Sequence, residues 1–284
     1  MTSELDDTAL ENDTALGQTT ALDQTTVDAV RRIAASERLL IALDFDGTLA
    51  PLEDEPMRAR ALPEAIAAID RLTALPDTTV AFVSGRQLAD LVVISEHTDA
   101  SLIHLAGSHG AEFWHPASSR VAARPMADDV AERAHADAIV DSARDLVANI
   151  PGAWIEPKAF GFGLHTRLAD DAATVRATDA IDELVTTRVP RWRRRVGRDI
   201  LEYAWRHEGK DTAVEALREL SGATAVLFAG DDVTDEDALA SLGPDDLGVR
   251  VGEGRTAASV RVPDAASLAV LLDLLGTFRA ERSQ

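Results

Sequence analysis

Three short, strongly apolar runs each end in a cluster of polar residues, and this pattern restricts the fold more than any other feature of the chain. The runs are 39–43, 79–83 and 225–229, and the polar clusters begin at Asp44, Ser84 and Gly230. Apolar runs of this length, separated by amphipathic helical stretches, are typical of buried strands in an α/β domain with a mostly parallel sheet. We therefore predict a doubly wound, Rossmann-like core. Ligands of such sheets bind beyond the carboxyl ends of the strands, so the three clusters should meet at one site.

The middle of the chain has a different pattern. Helical stretches are predicted over about 128–147 and 171–185, and strand candidates at 153–156, 160–165, around Val196 and at 200–203. Helices grouped with adjacent hairpin-like strands predict an inserted α+β domain, which we call the cap. The predicted division is an acidic, mobile tail (1–27), a first part of the core (28–111), the cap (112–204) and a second part of the core (205–284).

Composition excludes several classes of function. The absence of cysteine excludes disulfides, thiolate metal sites and cysteine nucleophiles. A net charge of −21 argues against general nucleic-acid binding, which depends on many basic side chains. The first residues lack the features of a signal peptide, and no apolar run is long enough to span a bilayer. We expect a cytoplasmic monomer that binds a small molecule, with no nucleic-acid or membrane partner; the basic stretch 188–195 is interpreted as a strand edge or an interdomain surface.

The polar cluster after the first run contains two aspartates two residues apart, Asp44 and Asp46, followed by Gly47 and Thr48. One carboxylate at a strand end can attack phosphorus, while the second, returned by the turn, exchanges a proton with the leaving oxygen and then with water. We assign attack to Asp44 and proton transfer to Asp46. A capping aspartate followed by a turn aspartate would give the same short pattern, so the assignment depends on the other clusters.

The cluster after the third run, residues 230–236, is strongly acidic. Several carboxylates at the end of a buried strand are costly unless a cation neutralises them, and Mg²⁺ prefers such oxygen ligands. We predict that Asp44 and Asp231 supply side-chain oxygens, Asp46 its backbone carbonyl, and Asp235 a ligand or its support. Acidic residues at a helix start are the simpler interpretation for Glu236 and its neighbour.

A phosphoryl group also needs hydrogen-bond donors and a cation. Ser84, Gly85 and Arg86 follow the second run, where a hydroxyl and backbone N–H groups at a helix start can bind phosphate oxygens. Lys210 follows a glycine and opens a helical stretch, so it can hold the phosphoryl group and moderate its repulsion with Asp44. Each of these signals is weak alone, because serine is a common helix cap and most lysines are solvated.

Together these clusters resemble, in order and spacing, the four motifs of the haloacid-dehalogenase superfamily over about residues 38–275. Within it the chain is similar to the trehalose-6-phosphate phosphatases, on the basis of residues 107–112, 156–158, His165 with Arg167, Glu202 and the Gly-Asp-Asp-x-Thr-Asp-Glu form of the fourth motif. The resemblance implies a Mg²⁺-dependent phosphatase of trehalose biosynthesis with a mobile cap. It also implies a phosphate site that includes Thr48, and sugar contacts from His109, Glu112, Glu156, Lys158, His165, Arg167 and Glu202.

The chain departs from the family pattern at Thr166, Asp211 and Tyr203 with Ala204, where the family usually has Tyr, Gly and Arg-Pro. These departures leave the reacting groups in place and concern the identity of the sugar. Alternatives are a phosphatase for another sugar or polyol phosphate and a non-catalytic sugar-phosphate sensor. A receiver-like signalling domain uses similar groups, but the early Asp-x-Asp pair and the long insert disfavour it.

Overall fold

The fold was analysed in a computed structural model, which describes residues 22–117, 119, 130–197 and 200–282. The helices are α1 (Gln24–Ala34), α2 (Pro63–Thr73), α3 (Leu88–Ile94), α4 (Val130–Val147), α5 (Asp171–Arg188), α6 (Lys210–Ser221), α7 (Glu236–Ser241) and α8 (Ala265–Arg282). The strands are β1 (Leu39–Leu43), β2 (Thr78–Val83), β3 (His104–Gly107), β4 (Glu112–Trp114), β5 (Trp154–Lys158), β6 (Gly161–His165), β7 (Arg193–Gly197), β8 (Ile200–Ala204), β9 (Ala225–Gly230), β10 (Leu247–Val251) and β11 (Val260–Val262).

A seven-stranded sheet has the order β11-β10-β9-β1-β2-β3-β4 and is parallel except for the β3–β4 pair. The central strand β1 pairs with both β2 and β9, which places Leu43 beside Phe82 and Ala229. The predicted α/β fold with a mostly parallel sheet is confirmed. The three predicted strands are neighbours, so the polar clusters that follow them leave the sheet at the same edge.

Helices cover both faces of this sheet, which explains why β1 is apolar at every position. Side chains alternate along a strand, so Ile41 and Leu43 point to the side of α1, α2 and α8, whereas Leu40 and Ala42 point to the side of α6 and α7. Each large aliphatic side chain buried in this way contributes about 1.5–3 kcal/mol. The strand that carries the first motif is therefore held rigidly from both sides.

A separate four-stranded antiparallel sheet has the order β5-β6-β8-β7. Helices α4 and α5 bury its apolar side chains, including Phe162 and Tyr203, and the Tyr203 hydroxyl donates a hydrogen bond of 2.7 Å to Asp182. The α+β character predicted for the cap describes this unit. Strand β4 extends the larger sheet, although the predicted boundary assigns Glu112 to the cap. The exact division into domains stays a prediction.

The basic stretch lies on and near β7, at the edge of the smaller sheet. Arg194 forms an ion pair with Asp182 at 2.8 Å, and Arg193 reaches Asp237 on α7, beside the larger sheet. Arg193 and Arg194 therefore have acidic partners between the two sheets and at a strand edge, which agrees with the interpretation of the stretch as a strand edge or an interdomain surface. Within the part of the chain that the structure describes, no helix combines the length and apolarity needed to cross a membrane.

The predicted acidic tail extends too far. Helix α1 begins at Gln24, because the Asp23 carboxylate accepts a hydrogen bond of 2.7 Å from the Thr26 N–H and the following turns bury Val30 against the core. Residues 24–27 therefore belong to a packed helix. Residues 1–21 of the predicted tail, and 128–129 at the predicted start of the long cap helix, lie outside the described residues.

Candidate functional site

The carboxyl ends of β1, β2 and β9 open into a cavity of about 810 Å³ between the two sheets. Ligand pockets of roughly 300–1,000 Å³ accommodate small organic molecules. Of the predicted site residues in the described part of the chain, those that line this cavity are Asp44, Asp46, Ser84, Gly85, Arg86, His109, Lys158, Glu202, Lys210 and Asp231. The structure thus brings together groups from both sheets that are far apart in sequence.

Asp44 and Lys210 form a buried ion pair at the base of the cavity. Asp44 continues β1, since its N–H donates to the carbonyl of Ala229, and it is 4% exposed. Its Oδ1 lies 2.5 Å from Nζ of Lys210, the first residue of α6, and the same ammonium lies 2.6 Å from Oδ1 of Asp235. Lys210 therefore serves two carboxylates at once, and its buried position places a positive charge beside the predicted nucleophile.

Three carboxylates, of Asp44, Asp231 and Asp235, have oxygens within 4.8 Å of one another. Burial, opposed by Lys210, raises the pKa of Asp44 above its ordinary value, and burial together with the charge of Asp235 raises the pKa of Asp231 to about 6. Burial alone would lower the pKa of Lys210, but the charges of Asp235 and Asp44 raise it. One ammonium does not compensate three carboxylates, and an oxygen-only cluster with excess negative charge suits a hard divalent cation.

Gly47 and Thr48 bring the first and fourth motifs together. Gly47 has φ +76°, and a Cβ atom at this position would lie 2.1 Å from Oδ2 of Asp231. The close approach of the two loops therefore requires glycine. The buried Thr48 hydroxyl lies 3.2 Å from both Asp44 Oδ2 and Asp231 Oδ1. Although the resemblance implied a phosphate contact for Thr48, its side chain lies between the two carboxylates.

Asp46 and Arg86 form a two-point ion pair at the wall of the cavity. Nε and Nη2 of Arg86 lie 2.6 Å from Oδ2 and Oδ1 of Asp46, respectively. The buried Ser84 hydroxyl accepts a hydrogen bond of 3.2 Å from the backbone N–H of Arg86. Arg86, which sequence analysis placed in the phosphate site, thus contacts the predicted proton-transfer residue with its guanidinium.

A hydrogen-bonded network of Lys158 and Glu202 from the smaller sheet and His109 from the larger one lines the same cavity. Glu202 on β8 lies 3.0 Å from His109 Nε2 and 2.8 Å from Lys158 Nζ. Burial would raise the pKa of Glu202, but His109 and Lys158 hold it well below its ordinary value. His109 belongs to the loop between β3 and β4 and has φ +57°, and Ser108 before it has φ +48°. Backbone strain of this kind persists where the surrounding structure requires it, which is often at functional sites.

Other predicted sugar contacts lie behind this network or away from it. The Glu156 carboxylate lies 2.7 Å from His165 Nε2, and the His165 ring stacks on Trp154. Arg167 reaches the Asp54 carbonyl at 3.4 Å. None of Glu156, His165 and Arg167 is among the described residues that line the cavity.

Glu112 holds the loops around the site. Its Oε2 accepts hydrogen bonds from the Ser108 hydroxyl at 2.5 Å and from the Leu88 N–H at 3.1 Å. These contacts join the strained loop before β4 to the start of α3. Glu112 thus supports the loop that carries His109. It is not among the described residues that line the cavity.

Sequence analysis missed Arg250, a 7% exposed residue of β10 that lines the cavity. Its Nη1 donates to the Asp232 carbonyl at 2.9 Å and to the Glu236 carboxylate at 3.3 Å. Arg250 therefore anchors the acidic loop that carries Asp231 and Asp235. The available signal was a charged residue within the apolar run 247–251, since a buried arginine needs partners.

Comparisons with known proteins agree on one family. The trehalose-phosphatase family model matches residues 42–270. A trehalose-phosphate phosphatase of Mycobacterium marinum is 33% identical over 252 residues, which cover 82% of this chain and 60% of that protein. A bifunctional trehalose-6-phosphate synthase/phosphatase of Thermoproteus tenax is 31% identical over 85% of this chain and 32% of its own length. The chain thus spans about 60% or less of the length of these relatives.

Among solved structures, the C-terminal domain of the C. albicans trehalose-6-phosphate phosphatase superposes with a TM-score of 0.73 at 21% identity. The match covers 90% of this chain and 98% of that domain. At this identity the likeness concerns the fold, and it includes both sheets.

Proposed function

Because the chain belongs to the trehalose-phosphatase family, we propose that it hydrolyses trehalose 6-phosphate to trehalose and inorganic phosphate. The observation that carries this proposal is the buried Asp44–Lys210 pair at the base of a cavity that the second sheet covers with Lys158 and Glu202. A nucleophile next to a fixed cation suits an anionic phosphoryl group, and polar groups opposite it suit the hydroxyls of a sugar.

In the first step, a carboxylate oxygen of Asp44 attacks phosphorus. The bond between phosphorus and the sugar oxygen breaks, its electron pair stays on the sugar oxygen, and that oxygen takes a proton from the Asp46 carboxyl group. The product is an aspartyl phosphate on Asp44 and the free sugar. Lys210, 2.5 Å from Asp44, reduces the repulsion between the carboxylate and the incoming phosphoryl group.

In the second step, Asp46 takes a proton from a water molecule whose oxygen attacks the phosphorus of the aspartyl phosphate. The bond between phosphorus and the Asp44 oxygen breaks, and its electron pair restores the carboxylate. Both residues return to their starting states, so one pair of aspartates completes the hydrolysis.

The residues of the site fit Mg²⁺. Asp44 and Asp231 would hold the ion with their carboxylates and Asp46 with its carbonyl oxygen, and Asp235 would act as a further ligand or orient Lys210. The fit follows from an oxygen-only donor set whose carboxylates lie within 4.8 Å of one another and exceed the available positive charge. When bound, Mg²⁺ supplies positive charge to the transferred phosphoryl group.

Specificity for the sugar is assigned to the network across the cavity. Lys158, Glu202 and His109 line it and carry donors and acceptors that suit sugar hydroxyls. Glu156 contacts Lys158 and His165 contacts Glu156, so these two residues would act through Lys158. Arg167, which reaches the Asp54 carbonyl, would act after a movement of the cap. Another sugar or polyol phosphate remains the alternative substrate.

A panel of sugar and polyol phosphates, assayed for phosphate release with and without a Mg²⁺ chelator, tests the function. We expect trehalose 6-phosphate to have the highest kcat/KM and the chelator to abolish turnover. Faster hydrolysis of another ester would reject the substrate. Binding of trehalose 6-phosphate without any phosphate release would favour the sensor.

The Asp44→Asn variant tests the mechanism separately. It should lose turnover and keep the fold, as judged by circular dichroism, because the amide retains the shape of the carboxylate without its nucleophilicity. Full activity in this variant would overturn the role of Asp44.

A further inference from the structure

Arg86 presents its guanidinium to Asp46 as a fork. Two parallel hydrogen bonds of 2.6 Å join Nε and Nη2 to the two carboxylate oxygens. Such a two-point contact fixes the direction of the carboxylate plane as well as its position. The side chains are 17% and 27% exposed, so the contact is largely shielded from solvent while the carboxylate still faces the cavity.

The backbone of Arg86 is itself held in place. Its N–H donates to the Ser84 hydroxyl at 3.2 Å, and its carbonyl accepts a hydrogen bond of 2.6 Å from the N–H of Ser108. The guanidinium therefore extends from a fixed point between β2 and the loop after β3. In the described part of the chain, both hydrogen bonds to the Asp46 carboxylate come from Arg86.

The base of the cavity already contains another cation for the phosphoryl group. Lys210 contacts the nucleophile Asp44 directly, whereas the Arg86 fork is occupied by the neighbouring carboxylate. An arginine whose donors face a carboxylate has fewer donors left for a phosphate. Its geometry suits the orientation of a proton-transfer group better than the binding of the transferred phosphoryl group.

We propose that Arg86 is a positioning residue, which orients the Asp46 carboxylate towards the oxygen of the leaving group. The inference rests on the proposed phosphatase function and deepens it. During the first step one Asp46 oxygen, protonated and released from its hydrogen bond to Arg86, delivers its proton to the sugar oxygen while the other oxygen remains bonded to Arg86. During the second step the freed oxygen takes a proton from water. Arg86 keeps its own protons throughout.

This role predicts an effect that depends on the leaving group. A sugar alkoxide is a poor leaving group and needs the proton from Asp46, whereas p-nitrophenolate leaves without one. The kcat/KM value includes only the steps up to departure of the leaving group, so it contains the first proton transfer and leaves out the second. We expect Arg86→Gln to reduce kcat/KM for the sugar phosphate by about 100-fold or more and for p-nitrophenyl phosphate by less than about tenfold.

Two further variants separate orientation from charge. Arg86→Lys keeps a positive charge but not the fork, so it should show the same selective loss. In a background of Asp46→Asn, adding Arg86→Gln should reduce kcat/KM for the sugar phosphate by no more than about threefold, because the two residues act as a unit. The exposed Arg58, which pairs with Glu55 on the surface, provides a matched control: Arg58→Gln should leave both substrates unaffected.

Several results would overturn the inference. Equal losses for both substrates, or an inhibition constant for inorganic phosphate that rises in proportion to the loss, would place Arg86 on the phosphoryl group or in the general structure of the site. Full activity of Arg86→Lys, or independent effects in the double variant, would also reject it. If the wild-type protein prefers a different sugar ester, the proposed substrate fails, and the same comparison is made with that ester.

Discussion

The Gly47→Ala substitution tests how closely the first and fourth motifs must approach each other. A Cβ atom at this position would lie 2.1 Å from Oδ2 and 2.4 Å from Cγ of Asp231, whereas ordinary contacts begin at 3.4 Å. The Asp231 carboxylate must therefore retreat by about 1.3 Å, or the loop must move by a similar amount. Metal–ligand distances tolerate only about 0.2 Å, so the substitution should disturb metal binding well before it unfolds the protein.

Two magnitudes follow for this variant. The positive φ of +76° costs an alanine about 1–2 kcal/mol of stability. A displacement of about 1 Å at a reacting group can reduce turnover about 100-fold, and we expect a loss of at least that order in kcat/KM. The Mg²⁺ concentration needed for half-maximal activity should rise. Phosphate release measured over a Mg²⁺ titration, and urea unfolding of the same samples, would give both numbers.

Gly222 provides the matched control, because it has φ +61° at the end of α6 and its added Cβ would meet Arg38 at an ordinary 3.5 Å. Gly222→Ala should therefore lose similar stability, about 1–2 kcal/mol, and keep normal turnover and Mg²⁺ dependence. If Gly47→Ala loses stability like the control but retains turnover within about twofold, the close approach of the two loops is not needed for metal binding or turnover.

Replacing Lys210 with Met would leave the buried carboxylates of Asp44 and Asp235 without their shared cation. In urea titrations with EDTA present, the free energy of unfolding should fall by about 3–5 kcal/mol. An unchanged urea midpoint would contradict this. Burial and the charge of Asp235 raise the pKa of Asp231 to about 6, so protons compete with the metal below that pH. The Mg²⁺ affinity should therefore fall about tenfold from about pH 7 to 5, and equal calorimetric affinities would exclude the effect. Burial and His115 lower the pKa of His104 to about 4 in the folded protein, whereas the unfolded chain has the ordinary histidine pKa. As the pH falls, the unfolded chain therefore binds the proton at a higher pH than the folded protein does. About 3 kcal/mol of stability should be lost as the pH falls from about 6.5 to 4. If the His104→Asn variant loses the same amount over this pH range, His104 is not the cause.

Much of the core was predictable because its signals are local. The runs at 39–43, 79–83 and 225–229 became β1, β2 and β9 within a residue at each end, since buried parallel strands are predominantly apolar. The rule that parallel strands present their carboxyl ends at one edge then placed Asp44, Ser84 and Asp231 around one cavity.

The direction of individual side chains was harder to predict from the sequence, because it depends on packing between distant segments. Glu112 and Lys158 both carried a predicted sugar contact, yet Lys158 faces the cavity while Glu112 turns back to Ser108. Arg250 entered the site only because its strand packs next to the acidic loop. For Glu112 and Lys158, no local pattern distinguishes the two outcomes.

The amino-acid sequence by itself determined the proposed reacting groups, since Asp44, Asp46, Lys210 and Asp231 have chemistry that their residue types already specify. The ends of β1 and β9 place the three aspartates together. Only the tertiary structure decided what those groups contact. The pairing of Arg86 with Asp46 and of His109 with Glu202 joins residues 40 and 93 positions apart. The first contact depends on the pairing of β1 with β2, and the second on how the two sheets pack against each other, because the direction of each side chain is set by its neighbours in space.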